Sequence, residues 1–183
     1  MVFDGTLIAF AIPNEKNVYF VDSLKDLEQA TNDWIKGFSA NDVFFNIGAN
    51  IGVFSVLAAK NSGCRVMAFE PHYGSYYFLM RNIIQNGFSE QLSAFPLSIV
   101  EKGTIGALYV SDLMAGKSFN NFGAAKPSDQ PIEDAIIPQP AISESLDGIA
   151  EWTGILPSHI NIDVDGLESG VIRGAARTLS RPK

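Results

Sequence analysis

The chain has 183 residues, 46% of them apolar, 11% aromatic and 18% charged, which suits one compact domain with a real core and excludes intrinsic disorder. A globule of this size buries roughly 70% of the surface its unfolded chain exposes, so it needs no disulfide or metal staple. Thirteen basic against twenty acidic residues leave a net charge of −7, a balance that repels a nucleic-acid backbone or an anionic membrane outside any local basic groove.

The one cysteine, Cys64, cannot form an internal disulfide and fits a reducing compartment. Apolar runs such as Leu7 to Ile12 fall short of the ~20 residues of a membrane helix. Asp4 precedes any Lys or Arg, unlike the basic start of a secretory signal. A cytoplasmic protein with no membrane span and no nucleic-acid partner is the expectation.

In chain order, residues 1–40 read as a lead-in. Leu7–Ile12 and Asn17–Val21 flank the turn dipeptide Pro13-Asn14, which predicts a hairpin. Ser23 with Asp26 in capping-box register predicts a helix start, Leu24, Leu27, Ala30 and Trp34 recur at helical spacing, and Gly37 offers a left-handed stop. Residues 41–183 read as one α/β domain. Val43–Ile47 is a near-continuous apolar strand, as in sheets covered on both faces. The turn Gly48-Ala49-Asn50-Ile51-Gly52 leads into a helix through Lys60 that stops near Gly63. Arg65–Phe69 is a second buried strand, and a helix from about Ser75 to Asn86 ends at Gly87. Leu92–Ile99 and Ile105–Val110 read as strands. Residues 111–140, with four prolines and little periodicity, read as a long loop. Ser143–Trp152 reads as a short helix, Ile160–Val164 as the last strand and Leu167–Leu179 as the last helix. The alternation predicts a mostly parallel sheet with helices on both faces.

Strand, glycine turn and helix over residues 43–60 carry the first chemical signal, because ligands bind beyond the carboxyl ends of parallel strands. Gly48 lets the backbone approach a ligand, Gly52 lets the helix pack against the strand, and the helix start offers N–H groups to an anion. A tight turn without a ligand uses the same residues. Glu70 stands 22 residues after Gly48 at the end of the next strand, where a carboxylate can accept both hydroxyls of a ribose; a solvated strand-end charge is the plainer reading. Dinucleotide sites place a glycine where this chain has Asn50. A ligand with a single carboxylate, such as S-adenosylmethionine, suits the turn better than a pyrophosphate.

Phe44-Phe45-Asn46-Ile47-Gly48-Ala49-Asn50-Ile51-Gly52, Ala68-Phe69-Glu70-Pro71 and Asn82-Ile83-Ile84-Gln85-Asn86 resemble the FkbM-type methyltransferases. So do Ser145-Leu146-Asp147, the segment Ile162-Asp163-Val164-Asp165-Gly166-Leu167-Glu168, and Gly174-Ala175. The resemblance runs from about Asp42 to Leu179. It implies a Rossmann-like fold, S-adenosylmethionine as methyl donor, and O-methylation of a sugar, glycan or secondary-metabolite hydroxyl. By the resemblance the cofactor contacts are Asn46, Gly48, Ala49, Asn50, Gly52, Glu70, Pro71, Leu97, Ser98 and Asp163. Asp163, Asp165 and Glu168 face the methyl group, with Asp163 the first choice as base and His72 the outsider; capping of the last helix is the plainer role for Asp165 and Glu168. The family usually has Asp at Asn46, Lys at Asn161 and Glu at Asp165, so Asn46→Asp is expected to tighten cofactor binding.

Three other patterns fail on inspection. Gly116-Lys117-Ser118 resembles the end of a P-loop, but Ser111 stands at its first glycine and no clear helix follows. Asn161, Asp163, Asp165 and Gly166 resemble the start of a calcium loop whose twelfth position here is Ile172. His72 and His159 are far apart in sequence, so no metal site is expected, and Cys64 reads as core. The rival functions are a nicotinamide-dependent oxidoreductase, which Asn50 argues against, and a non-catalytic nucleoside-binding module on the same fold. The chain stops at Arg181-Pro182-Lys183, where methyltransferases of this fold continue into another strand. The expectation is therefore an incomplete domain with Ile160–Val164 at an open edge, a place for self-association or a partner's strand.

Overall fold

A computed structural model describes residues 2–3, 6–15, 17–19, 21–22, 28–110, 121–123, 137–164 and 166–181. Strands β1 (Val2–Phe3) and β2 (Thr6–Leu7) form a small antiparallel pair. The expected hairpin of Leu7–Ile12 with Asn17–Val21 is absent. Residues 15, 17–19 and 21–22 are helical instead, and the Val18 N–H donates to the Asn14 carbonyl at 3.2 Å. Pro13-Asn14 therefore opens a helix rather than joining two strands, with Asn14 Oδ1 accepting from the Asn17 N–H at 3.1 Å, as a capping residue does. Helix α1 spans Gln29–Lys36; the expected start at Ser23, Leu24, Asp26 and Leu27 lies outside the described residues. Gly37 does not make the left-handed stop, because its φ is −78°.

From residue 43 the order is β3 (Val43–Ile47), α2 (Val53–Ser62), β4 (Arg65–Phe69), α3 (Tyr73–Gln85) and β5 (Leu92–Phe95). Next come β6 (Leu97–Ile99), β7 (Thr104–Val110), β8 (Asn121–Phe122) and β9 (Ile137–Glu144). The chain closes with α4 (Leu146–Thr153), β10 (His159–Ile162), α5 (Glu168–Arg173) and α6 (Ala176–Leu179). The central sheet is parallel, in the order β10-β3-β4-β5. Period-two alternation sorts its side chains between two apolar layers. Phe44, Val66, Ala68 and Leu92 join α2, α3, Ile35, Phe38, Ile8 and Val21 on one face. On the other, Phe45, Ile47, Met67 and Phe69 pack with Ile99, Leu146, Ile149, Val171 and Ala175. Helices thus cover both faces, and the near-continuous apolar strands follow from that. Cys64, fully buried beside β4, belongs to the first layer.

The sheet is not single. The run read as one strand, Leu92–Ile99, divides at Pro96, and β6 leaves for a second sheet of order β6-β9-β7-β8. There β9 runs antiparallel to β7 over seven residues and parallel to β6 through Ile142–Glu144 only. Residues 137–140, expected in the loop, are strand despite Pro138 and Pro140. The two prolines share one orientation, and β6 does not reach them, so their missing N–H groups face no partner strand. The expected helix Leu167–Leu179 breaks into α5 and α6 at Gly174-Ala175. A Cβ on Gly174 would sit 2.4 Å from the Val100 carbonyl oxygen. The helix expected from Ser143 starts after Ser145, whose side chain caps α4 by accepting from the Gly148 N–H at 3.0 Å. Among the described residues β10 pairs with β3 alone, over His159–Ile162 rather than the expected Ile160–Val164.

Candidate functional site

The parallel strands end at one cleft. Its lining includes Gly48 and Asn50 after β3, Glu70 and Pro71 after β4, Leu97 and Ser98 from β6, and Asp163 after β10. Leu108 and Phe122 of the second sheet close it from above. The turn after β3 is held by its neighbour: the N–H groups of Gly48 and Ala49 both donate to the Phe69 carbonyl at 3.0 Å. Asn50 adopts a left-handed φ of 51°. Gly48 is required by a close approach of the chain itself. At its φ of +80°, a Cβ would lie 1.8 Å from the Asp163 carbonyl oxygen. Gly52 likewise makes room for Leu79 of α3, 2.4 Å from a would-be Cβ, rather than for a strand. No side chain caps the start of α2.

Glu70 is 7% exposed. One carboxylate oxygen accepts the Asn50 N–H and the other the His72 N–H, each at 2.8 Å. The carboxylate therefore ties the turns after β3 and β4 together. Asn50 Oδ1 and Ser98 Oγ, both on the lining residues, are buried without a hydrogen-bond partner in the described structure. Buried polar atoms are seldom left so. Among the described residues, Glu70 and Asp163 are the charged residues of the lining, which includes no Lys or Arg.

The remaining sequence-predicted residues lie elsewhere. Asn46 is 1% exposed, its Nδ2 donating to Ser55 Oγ at 2.8 Å and its Oδ1 accepting from Asn161 Nδ2 at 2.9 Å. Ala49 is buried in the first apolar layer. Asp165 lies outside the described residues. Glu168 accepts the Gly166 N–H at 3.0 Å at the start of α5. That bond, with those from the backbones of Glu168 and Val164, holds its carboxyl below the usual range, which suits a cap better than a base. His72 is buried, and its Nδ1 accepts the Ser75 N–H at 3.1 Å as the cap of α3.

Reasoning from sequence missed the roof. Phe122 lies in the run read as loop, and nothing local marks it; its ring lies over Gly106, whose Cβ would meet it at 3.0 Å. Gln139 of β9 was missed too. Its Nε2 donates to the Pro71 carbonyl at 2.7 Å and its Oε1 accepts the Tyr73 N–H at 3.1 Å. Among the described residues no three His, Cys, Asp or Glu side chains could together hold a metal ion, and no helix is long and apolar enough to cross a membrane.

A parallel sheet with helices on both faces, a glycine turn after its first strand and an acid after its second define a Rossmann-like domain of the methyltransferase type. Residues 46–183 match the family model described as the methyltransferase FkbM domain, and the chain belongs to that family. The methyltransferase FkbM of Methylobacillus flagellatus shares the fold at 19% identity and a TM-score of 0.51, over 78% of this chain and 31% of that one. Weaker likenesses include Pyrococcus horikoshii TYW2 in complex with MeSAdo, at 22% identity and a TM-score of 0.36 over 50% of this chain and 30% of that one. An RNA methyltransferase from Salinibacter ruber in complex with S-adenosyl-L-homocysteine matches at 20% identity and 0.32, over 48% of this chain and 50% of that one. The chain spans about a third of the length of the Methylobacillus protein. No curated relative matches it.

Proposed function

We propose that this domain binds S-adenosylmethionine in the cleft and methylates a hydroxyl of a sugar, glycan or secondary metabolite. The observation that carries the cofactor reading is the charge of the lining: among the described residues it has two carboxylates, Glu70 and Asp163, and no basic side chain. Such a cleft favours a ligand bearing hydroxyls, an ammonium and a sulfonium, and disfavours a pyrophosphate. The orphaned Asn50 Oδ1 and Ser98 Oγ fit a polar heterocycle with donors and acceptors at its edge. Glu70 would hold the ribose hydroxyls, with Leu97 and Pro71 as apolar walls. Gly48 and Asn50 shape the turn beside the amino-acid end. Asn46 and Gly52 support that turn from behind.

When bound, the cofactor supplies an electrophilic methyl on a sulfonium whose thioether leaves uncharged. The protein's task is then largely alignment of the acceptor. A hydroxyl nucleophile must also lose its proton, and Asp163, an exposed residue of the lining, would accept it. Leu108 and Phe122 exclude water from above. The acceptor class, the division into a lead-in (1–40) and a catalytic domain (41–183), and the roles of Asp163, Asp165 and Glu168 rest on the family pattern.

Calorimetry with S-adenosylhomocysteine and with NAD tests the reading. Binding of the first and not the second is expected; NAD binding alone would reverse it. Methyl transfer to a panel of hydroxyl acceptors, compared with Asp163→Asn, then separates an enzyme from a binding module.

A further inference from the structure

One motif finds no place in the cleft. Asn82, Gln85 and Asn86 lie on α3, away from the lining, yet all three carboxamides are engaged. Asn86 Nδ2 donates to the Ala9 carbonyl at 2.7 Å and its Oδ1 accepts the Ala9 N–H at 3.1 Å. Gln85 Nε2 donates to the same carbonyl at 2.7 Å. Asn82, fully buried, does more. Its Oδ1 accepts the Ala11 N–H at 2.6 Å and its Nδ2 donates to the Ile51 carbonyl at 2.7 Å. Ile51 sits between Asn50 and Gly52 in the turn that shapes the cleft.

The two bonds determine which way the carboxamide faces. A backbone N–H only donates and a backbone carbonyl only accepts, so the oxygen must meet the Ala11 N–H, with Gln85 Nε2 donating to it too at 3.0 Å, and the nitrogen must meet the carbonyls of Ile51 and, at 3.3 Å, Ala11. One helical turn earlier, Leu79 packs on Gly52, 2.4 Å from a would-be Cβ; residues three apart share a helix face. Helix α3 thus holds the back of the turn with Leu79 and Asn82, while Glu70 and Phe69 hold its front.

We propose that Asn82 is a positioning residue for the turn 48–52, oriented by the backbone of Ala11, so that seating of the N-terminal segment tunes ligand binding. That this ligand is S-adenosylmethionine rests on the function proposed above. The geometry of the turn does not depend on it.

Hydrogen exchange in the full chain separates the two. Asn82→Asp keeps the acceptor for Ala11 but sets an acceptor against the Ile51 carbonyl. Ala11→Pro removes the orienting N–H without touching the turn. Both are expected to speed exchange at the amides of residues 48–52 by about tenfold relative to those of β4, the size of one lost buried hydrogen bond. A distant destabilising change, Thr178→Ala, should show no such local excess. Affinity for S-adenosylhomocysteine should fall by about the same factor in the first two variants and stay unchanged in the third. Turn exchange that rises only in step with β4 overturns the proposal, and Ala11→Pro carries the test should Asn82→Asp not fold. A loosened turn in a protein whose parent binds no S-adenosylhomocysteine upholds the positioning role and overturns the cofactor reading.

Discussion

Asn161 of β10 donates to Asn46 of β3 at 2.9 Å, and the two face each other in the strand register. These are two of the positions where the chain departs from the family it resembles, which usually has Lys and Asp there. In this chain the two positions form a neutral amide pair across neighbouring strands. Asn46→Asp alone therefore buries a carboxylate with no cation beside it. It is expected to cost about 3 kcal/mol of stability, and adding Asn161→Lys should recover most of that. Denaturant unfolding of both single variants and the double gives the coupling. Additive losses would show that the two positions act separately.

Glu70 bridges the two ligand-side turns. Glu70→Gln places an amide N–H₂ against the N–H of either Asn50 or His72, each now 2.8 Å from a carboxylate oxygen. Affinity for S-adenosylhomocysteine should drop by about 2–4 kcal/mol. Calorimetry on the folded variant checks this, and unaltered binding would remove Glu70 from the site.

Two left-handed glycines should respond unequally. At Gly63, φ +70°, the nearest atom to an added Cβ is 4.0 Å away, so Gly63→Ala should cost only the backbone strain of about 1–2 kcal/mol. Gly48→Ala drives its Cβ into the Asp163 carbonyl. It should cost about 4 kcal/mol or more and displace Asp163 from the cleft. Equal midpoints in urea would mean that the β3–β10 junction yields easily.

The acid side of the stability profile should depend on Asp147. Partial burial works against its charge, but the N–H groups of Arg177 and Thr178, the Thr178 hydroxyl and the Arg177 guanidinium prevail, and its carboxyl titrates below the usual range. A folded-state pKa lower than the unfolded one adds stability that is complete above the ordinary carboxylate pKa of about 4 and lost as pH falls through the folded value. Asp147→Asn should cost about 1 kcal/mol at neutral pH, as a weakened cap of α6, and flatten the decline below about pH 4. Glu168, also lowered, should contribute to the same decline.

Much of the parallel half was legible, because strands buried on both faces make unbroken apolar runs and the turns between them need glycine. Gly48, Asn50, Glu70, Pro71, Leu97, Ser98 and Asp163, grouped by the family resemblance, line one cleft. The second sheet was not legible. Pro138 and Pro140 look like loop residues unless one knows that β6 stops short of them, and the handover at Pro96 looks like continuation. Phe122 gains its role only from β7 opposite it. The carboxamides of Asn82 and Gln139 carry no periodic signal, since each bonds to backbone far away in sequence.

The chain's one thiol also serves as an internal clock. Cys64 lies wholly inside the first apolar layer, and burial pushes its pKa up, so the reactive thiolate is scarce and sheltered while the fold is closed. A thiol reagent can be consumed only when the region around β4 opens. Its rate of uptake therefore reads opening events of the parallel sheet one molecule at a time, with no engineered label and no second thiol to confuse the count.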